Sequence, residues 1–300
     1  MRRKIPAIHT LLCFEAAARH ESYTRAAQEL ALTQSAVSRQ VAALEEYLGQ
    51  PLFTRARHGV VLTPRGREYA AQVADRLLAL ERDTLNAMST QGTQGAVHLA
   101  AVPTFATRWL IPHLPHLQAL YPDIVVHIDT RTRPFMFADS GFDVALYAGT
   151  AEQVANWAGT HATLLIEEEV VPVCAPDLLG AVPQPVTPEA LAALPLLQQS
   201  TRPFGWSQWF DAMAAPAPLA MSGPRLELFS MTIAAAIHGL GVALVPRLLV
   251  ETELARGELV VACDKPLRGE RAYYLIAPLG DTESQAVMHF RHWLVAAMAG

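Results

Sequence analysis

Between Tyr23 and Arg65 the sequence permits little besides a small helical unit closed by a basic hairpin. Thr33 is an N-cap residue, and the helix it predicts runs to Leu48, where Gly49 supplies the left-handed stop. Val37, Val41, Leu44 and Leu48 recur at steps of four, three and four, which makes one buried stripe. At 100° per residue, the mean direction of that stripe lies roughly 120° from the centre of Gln34, Ser35, Ser38 and Arg39. These four polar side chains therefore face away from any core that the stripe joins.

The flanks sharpen this. A helix from Pro6 and Ala7 to about His20 precedes the segment, with Ile8, Leu11, Leu12, Phe14, Ala17 and Ala18 on its apolar side. Thr24 is the expected cap of a short helix through Leu30, leaving a tight turn before Thr33. After Gly49, strands at Leu52-Phe53 and Val60–Leu62 enclose the hairpin Arg55-Ala56-Arg57-His58-Gly59. Thr63 then caps a further helix with Pro64 at its first position. An ordinary amphipathic helix with a solvated face is the commoner explanation of such a polar set. The short helix, the turn and the basic hairpin argue instead for a helix-turn-helix, whose second helix enters the major groove. Gln suits adenine, Arg suits guanine and Ser suits either. Arg55 and Arg57 suit the minor groove or phosphate, and Arg65 stands in a helix first turn where a phosphate can be met. Double-stranded DNA is the expected partner.

Charge divides along the chain. Residues 1–66 hold nine Lys or Arg and five acids, a balance of +4, while the remainder has 14 basic and 23 acidic residues, a balance of −9. A polyanion-binding head on a body that repels DNA fits this split. Three hundred residues suggest about two domains. No apolar run is long enough to span a membrane, and Met1-Arg2-Arg3-Lys4 is not followed by a secretory apolar stretch, so a cytoplasmic location is expected. Cys13, Cys174 and Cys263 have no metal-ligand spacing and sit among apolar residues, which predicts buried free thiols.

From Pro64 to about Ser89 one long helix is expected, with Ala70, Val73, Leu77, Leu80, Thr84 and Ala87 in a three-four rhythm that suits self-pairing. Packing on the same chain is the alternative use of that stripe. A polar, Gly-containing stretch from Ser89 to Gly95 follows. Strands are then predicted at Ala96–Val102, Ile124–Ile128, Asp143–Leu146, Val170–Val173, Leu196–Gln198, Leu226–Leu228, Val242–Val245 and Tyr273–Ala277, with a terminal helix from Ser284 to Met298. Helices between strands argue for parallel sheet in two α/β lobes. Ligands in such folds sit beyond the carboxyl ends of the strands. Thr104, Thr130, Arg131, Thr132, Arg133, Ser200, Thr201, Arg202 and Ser230 occupy such ends, and hydroxyls with arginines suit a small carboxylate. Glu167-Glu168-Glu169 reads as a solvated connector, and Gly239-Leu240-Gly241 as a helix stop with a tight strand entry. No nucleophile motif, phosphate loop, metal-ligand spacing or dinucleotide loop is present, so no cofactor and no catalysis are implied.

The chain resembles the LysR-type transcriptional regulators. The match is carried by Phe14-Glu15-Ala16-Ala17-Ala18, Thr24-Arg25-Ala26-Ala27, Leu30, Thr33 to Gln40, Leu44-Glu45, Leu48-Gly49, Leu52-Phe53, Arg55 and Leu62-Thr63. Trp109 to Pro112, Pro172 to Pro176, Gly239 to Leu244 and Phe290 to Leu294 resemble the subgroup of glycine-cleavage and β-lactamase regulators. The resemblance implies a winged helix-turn-helix over 1–63, a dimerising linker helix over 64–90 and a hinge over 91–95. It implies an α/β effector domain over 96–300, with two Rossmann-like lobes as in periplasmic binding proteins (96–166 plus 268–300, and 167–267). It further implies a homodimer assembled into a homotetramer, an encounter with RNA polymerase, and a small-molecule effector. Thr33, Gln34, Ser35, Ser38, Arg39, Arg55, Arg57, Thr63 and Arg65 then correspond to the DNA contacts. Thr104, Phe105, Thr130 to Arg133, Ser200 to Arg202, and Phe229 to Met231 fall where the effector is held. Two places depart from the family: His58 stands where Arg commonly precedes the wing glycine, and the loop 130–139 matches no transferable pattern. A cytosolic small-molecule binder or an α/β enzyme carrying a DNA-binding head is the competing reading.

Overall fold

The computed structural model describes residues 5–56, 59–89, 95–180, 182, 184–280 and 283–299. Arg57, His58, Met1 to Lys4 and, apart from Gly95, the expected hinge lie outside them. The chain divides into two compact units, Met1–Gln91 and Gly92–Gly300.

The first unit is built from α1 (Ile8–His20), α2 (Tyr23–Glu29), α3 (Gln34–Leu48), the hairpin β1 (Phe53–Ala56) and β2 (Gly59–Leu62), and α4 (Pro64–Ser89). Cys13, Phe14, Ala17, Ala26, Ala27, Val37, Val41, Leu44, Leu52 and Phe53 form one core. Ala26 and Ala27 leave α2 with no bulk on its inner side, so α1 and α3 approach closely. The cap of α2 differs from expectation. Ser22, in extended conformation, accepts the Arg25 N–H at 3.3 Å, and Thr24 lies inside the helix. The wing is tied to the helices at two points. Glu45 Oε1 on α3 accepts the N–H groups of Leu52 and Phe53 at 2.7 and 3.0 Å. Gly59 has φ +151°, and a Cβ there would lie 2.9 Å from the Glu21 carbonyl oxygen. Gly66 is equally constrained, since a Cβ would meet the Leu52 carbonyl oxygen at 2.0 Å.

α4 uses its apolar residues in two ways. Val73 is buried in the core of its own unit, with Ala70 and Leu77 packed against it. Half of the anticipated self-pairing stripe is thus spent within the chain. Leu80 of that stripe stays exposed (46%), and further exposed apolar residues lie beside it: Leu78 (65%), Leu85 (59%) and Met88 (73%).

The second unit contains β3 (Gly95–Ala101), α5 (Pro103–Phe105), a π turn (Ala106–Leu110), α6 (Ile111–Leu120), β4 (Ile124–Thr130), β5 (Val144–Thr150), α7 (Ala151–Ala155) and β6 (Thr160–Cys174). It continues through α8 (Pro188–Ala192), β7 (Leu196–Gln199), α9 (Gly205–Ala212), β8 (Arg225–Leu226), α10 (Phe229–Ile237) and β9 (Val242–Pro246). It ends with α11 (Glu251–Arg256), β10 (Val260–Val261), β11 (Leu267–Pro278) and α12 (Gln285–Ala299).

Among the described residues the strands form one sheet in the order β4-β3-β5-β11-β6-β9-β7-β8, with β10 beside β6. The expected parallel pairing is found at its two ends, where β3 is parallel to β4 and β5, and β7 to β8 and β9. In the middle β11 runs antiparallel to β5 and β6, and β6 antiparallel to β9. The cause is length: β6 has 15 residues and β11 has 12, so each serves both halves of the sheet. Two such strands must return past one another, and their side-chain pattern does not advertise that direction.

β11 loses register against β6 midway. Arg268 pairs with Glu169 and Ala272 with Glu167, leaving Gly269, Glu270 and Arg271 opposite Glu168 alone. Glu167 to Glu169 are therefore strand residues, not the solvated connector the charge run suggested. Glu168 is 5% exposed, and Glu169 bridges Arg247 and Arg268 at 3.1 Å each. At the β9 entrance Gly239 has φ +73°, and a Cβ on Gly241 would lie 2.5 Å from the Pro195 carbonyl oxygen. Cys13, Cys174 and Cys263 are free and buried, and burial raises all three thiol pKa values.

Candidate functional site

Two sites emerge, one in each unit. On α3 the Thr33 hydroxyl accepts the Ala36 N–H at 3.2 Å and lies 3.1 Å from Ser35 Oγ, which fixes the first turn. Gln34, Ser35 and Arg39 are exposed, Ser38 is half-buried, and Val37, Val41 and Leu44 are buried beneath them. The stripe and the polar face oppose each other as the helical spacing requires. Gln40 is drawn off this face, since its Oε1 accepts the Thr10 hydroxyl at 2.6 Å. Arg55 is exposed on β1, paired with Val60 on β2. Arg65 is exposed in the first turn of α4. Thr63 is committed internally: its hydroxyl donates to the Pro51 carbonyl at 3.1 Å and accepts the Gly66 N–H at 2.9 Å. Behind α2, Arg19 and then His20 hydrogen-bond the Glu29 carboxylate and lower its pKa to about 2.

In the second unit a cleft has two chambers, of about 580 and 250 Å³. Gln199, Thr201, Arg202, Phe229 and Arg271 line both and form their shared wall. The larger is walled by Leu197, Phe204, Trp206 and Leu244, the smaller by Thr104, Phe105, Thr132, Tyr147 and Tyr273. Strand ends from both halves of the sheet meet here, because β7 and β5 end on either side of the β11 bulge.

The sequence-derived candidates divide. Thr104, Phe105, Thr132, Thr201, Arg202 and Phe229 line a chamber; Thr130, Arg131, Arg133, Ser200, Ser230 and Met231 line neither. Arg131 donates to the Thr130 carbonyl at 2.9 Å and lies 5.3 Å from the Phe142 ring centroid, while Arg133 is exposed. The Thr104 hydroxyl accepts the Ser230 N–H at 3.2 Å, joining the starts of α5 and α10. Phe105 stacks on Trp109 and Tyr273. Arg202 binds Glu168 through both carboxylate oxygens, with Nη2–Oε2 at 2.8 Å, and stacks 4.8 Å from the Phe229 ring centroid. Its guanidinium is therefore already partnered.

Arg271 and Gln199 were missed. Arg271 is half-buried in the bulge, and its one hydrogen bond to the described residues reaches the Ala148 carbonyl at 3.5 Å. Burial, and then the Arg202 cation, lower its pKa. Gln199 is buried, and its Oε1 has no hydrogen-bond partner among the described residues. The signal for Arg271 is the pair Gly269-Glu270 interrupting an apolar strand, which marks a bulge only once the partner strand is known. Among the described residues no cluster of three or more His, Cys, Asp or Glu could hold a metal, and no helix is long and apolar enough to cross a membrane.

Comparison with known proteins agrees over the whole length. Residues 8–67 match the bacterial regulatory helix-turn-helix model of the lysR family, and residues 90–299 match the LysR substrate binding domain. The glycine cleavage system transcriptional activator of Escherichia coli is 33% identical over 299 residues, covering 100% of this chain and 96% of that protein. The transcriptional activator AmpR of Pseudomonas aeruginosa is 33% identical over 301 residues, covering 97% of this chain and 96% of its own. The solved effector domain of the latter superposes with a TM-score of 0.60 at 28% identity, over 68% of this chain and 96% of that one. Full-length AphB of Vibrio cholerae shares the fold, with a TM-score of 0.59 over 97% of this chain and 99% of that one at 20% identity. With a helix-turn-helix at one end and a ligand-sized cleft in an α/β unit at the other, this chain belongs to the LysR family of transcriptional regulators.

Proposed function

We propose that this regulator reads an operator in double-stranded DNA through Gln34, Ser35, Ser38 and Arg39, and answers to a small carboxylate held by Arg271. The half-buried guanidinium of Arg271, with one long hydrogen bond to the described residues, is the observation that carries the second half. A cation in that position is stabilised by an incoming anion, and a guanidinium takes a carboxylate with two parallel bonds. This moves the anchor away from Arg131, Arg133 and Arg202. Arg55 and Arg65 support the reading face as phosphate contacts. The exposed Leu78, Leu85 and Met88 on α4 suit pairing with a second copy, which presents two heads to two half-sites. Pairing of such dimers into a tetramer, a cytoplasmic location and an encounter with RNA polymerase at the promoter complete the reading. The names of its relatives, transcriptional activators, support the last of these.

The effector changes DNA binding only so far as it prefers one arrangement of the cleft over another. The test uses the full chain with a panel of metabolite carboxylates, read by thermal shift and by titration calorimetry. At least one should stabilise the wild type and fail to stabilise Arg271→Gln. Undiminished affinity in that variant removes Arg271 from the role.

A further inference from the structure

The larger chamber is apolar where it is open, and its polar groups are mostly in use. Val170, Leu244 and Leu267 are half-buried and Phe204 is 58% exposed, and all four line the space of about 580 Å³. Uncovered apolar surface therefore faces that space. Leu197 and Trp206 stand behind it, almost fully buried. Trp206 Nε1 donates to the Leu197 carbonyl at 2.9 Å, which leaves the indole only its ring to offer. Arg202 and Glu168 hold one another through both carboxylate oxygens, and Thr150 Oγ accepts the Gln153 N–H at 3.3 Å. The Oε1 of Gln199 is sealed from solvent, while Thr201, Gln208 and Glu270 are exposed, where bulk water serves them. Among the described residues lining either chamber the cations are Arg202 and Arg271, and Glu168 neutralises the first.

We infer that the cleft selects an apolar monocarboxylate: its single carboxylate on Arg271, and an aryl or alkyl body in the larger chamber against Val170, Leu244, Leu267 and Phe204. This rests on the carboxylate reading above and narrows it, from any small anion to one whose remaining surface is hydrocarbon. A second carboxylate on the ligand would need a second unneutralised cation, and Arg202 is not one while Glu168 holds it. Set against the apolar wall, that carboxylate loses its water without a partner. A hydroxyl-rich body loses water in the same way, with few open donors or acceptors to replace it. Hydrocarbon gains with each group moved out of water onto these side chains. The volume of about 580 Å³ falls within the roughly 300–1,000 Å³ of pockets that enclose a small organic ligand.

The test is calorimetric titration of the full-length protein with matched acids. Hexanoate is set against adipate, which adds a carboxylate, and against gluconate, which adds hydroxyls; 3-phenylpropionate is set against propionate, which lacks the ring. At least one of hexanoate and 3-phenylpropionate should bind about tenfold or more tightly than its counterparts. Leu244→Ala, which removes apolar surface, and Val170→Thr, which keeps the branched shape of a strand residue but adds a hydroxyl, should each shrink that preference by about threefold or more. Thermal melting of each variant confirms that it is folded. Arg271→Gln should weaken every acid that binds. If adipate, gluconate and propionate match their counterparts while Arg271→Gln still weakens them all, the inference falls and the carboxylate anchor stands. If the preference survives undiminished in both folded wall variants, the body lies elsewhere and the inference falls. If 1-hexanol equals hexanoate and Arg271→Gln is silent, the carboxylate anchor falls and takes the monocarboxylate with it. Should neither hexanoate nor 3-phenylpropionate bind below about 10 mM, the inference is overturned outright.

Discussion

The reading face of α3 and the wall of the cleft are both polar, yet they are built on opposite terms. The face is one turn and a half of a single helix, with Gln34, Ser35 and Arg39 exposed over a finished apolar core. Beyond the contact of Ser35 with the Thr33 hydroxyl, no hydrogen bond to the described residues holds those side chains, so they can be spent on a partner. The wall draws on β6, β7, the start of α10 and the β11 bulge, and two of its charges, Arg202 and Glu168, are buried against one another. Side chains there stabilise the unit and line the cleft at once. A surface of the first kind tolerates substitution and loses only recognition, whereas one of the second kind loses fold and recognition together.

Substitutions graded by size can break that contrast. Glu168→Ala strands the Arg202 guanidinium in a site where the carboxylate is 5% exposed, and should cost about 3–5 kcal/mol of unfolding free energy in denaturant titration. The double variant Glu168→Met with Arg202→Met should recover most of that loss, because no uncompensated charge remains. If the single variant is as stable as wild type, the wall is not a structural element. Arg39→Ala should leave the melting temperature in place while operator binding weakens by about 1–3 kcal/mol and discrimination relaxes at one base position, as read by quantitative footprinting. Thr33→Ala removes the cap of α3 and should lower stability by about 1 kcal/mol, measured by thermal melting. The smallest effect is acid-dependent. Glu29 has its pKa depressed to about 2 from 4.5 by Arg19 and His20, so its contribution is complete above about pH 4.5 and is lost as pH falls toward 2. Glu29→Gln should flatten the stability profile of the first unit across that window and leave it parallel to wild type at neutral pH.

How much of this was legible in the sequence follows from the range of the interactions involved. The caps, the buried stripe and the outward set of α3 repeat every 3.6 residues within 15 positions, so neighbours in sequence are neighbours in space. Thr104, Thr201 and Arg202 stand at predicted strand ends, and strand ends do meet at the cleft, whereas Phe229 came only from the family resemblance. Arg271 escaped because its position depends on how two distant strands pair: only the register between 268 and 272 puts it opposite Glu168. Glu168 escaped for a related reason, since three acids in a row read as solvated unless a buried arginine stands 34 residues away. The stripe on α4 was seen with the correct period, but periodicity cannot say which partner a stripe meets. Val73 and Leu77 met their own unit, leaving Leu80 of the stripe outward with Leu78, Leu85 and Met88.

The bulge in β11 joins two duties in one short piece of chain. It interrupts the pairing of the strand that lies between β5 and β6, and it carries Arg271, the anchor proposed above. A molecule clasped by Arg271 would therefore touch directly the strand to which β5 and β6 are both bonded, with no intervening side chain between it and that shared backbone.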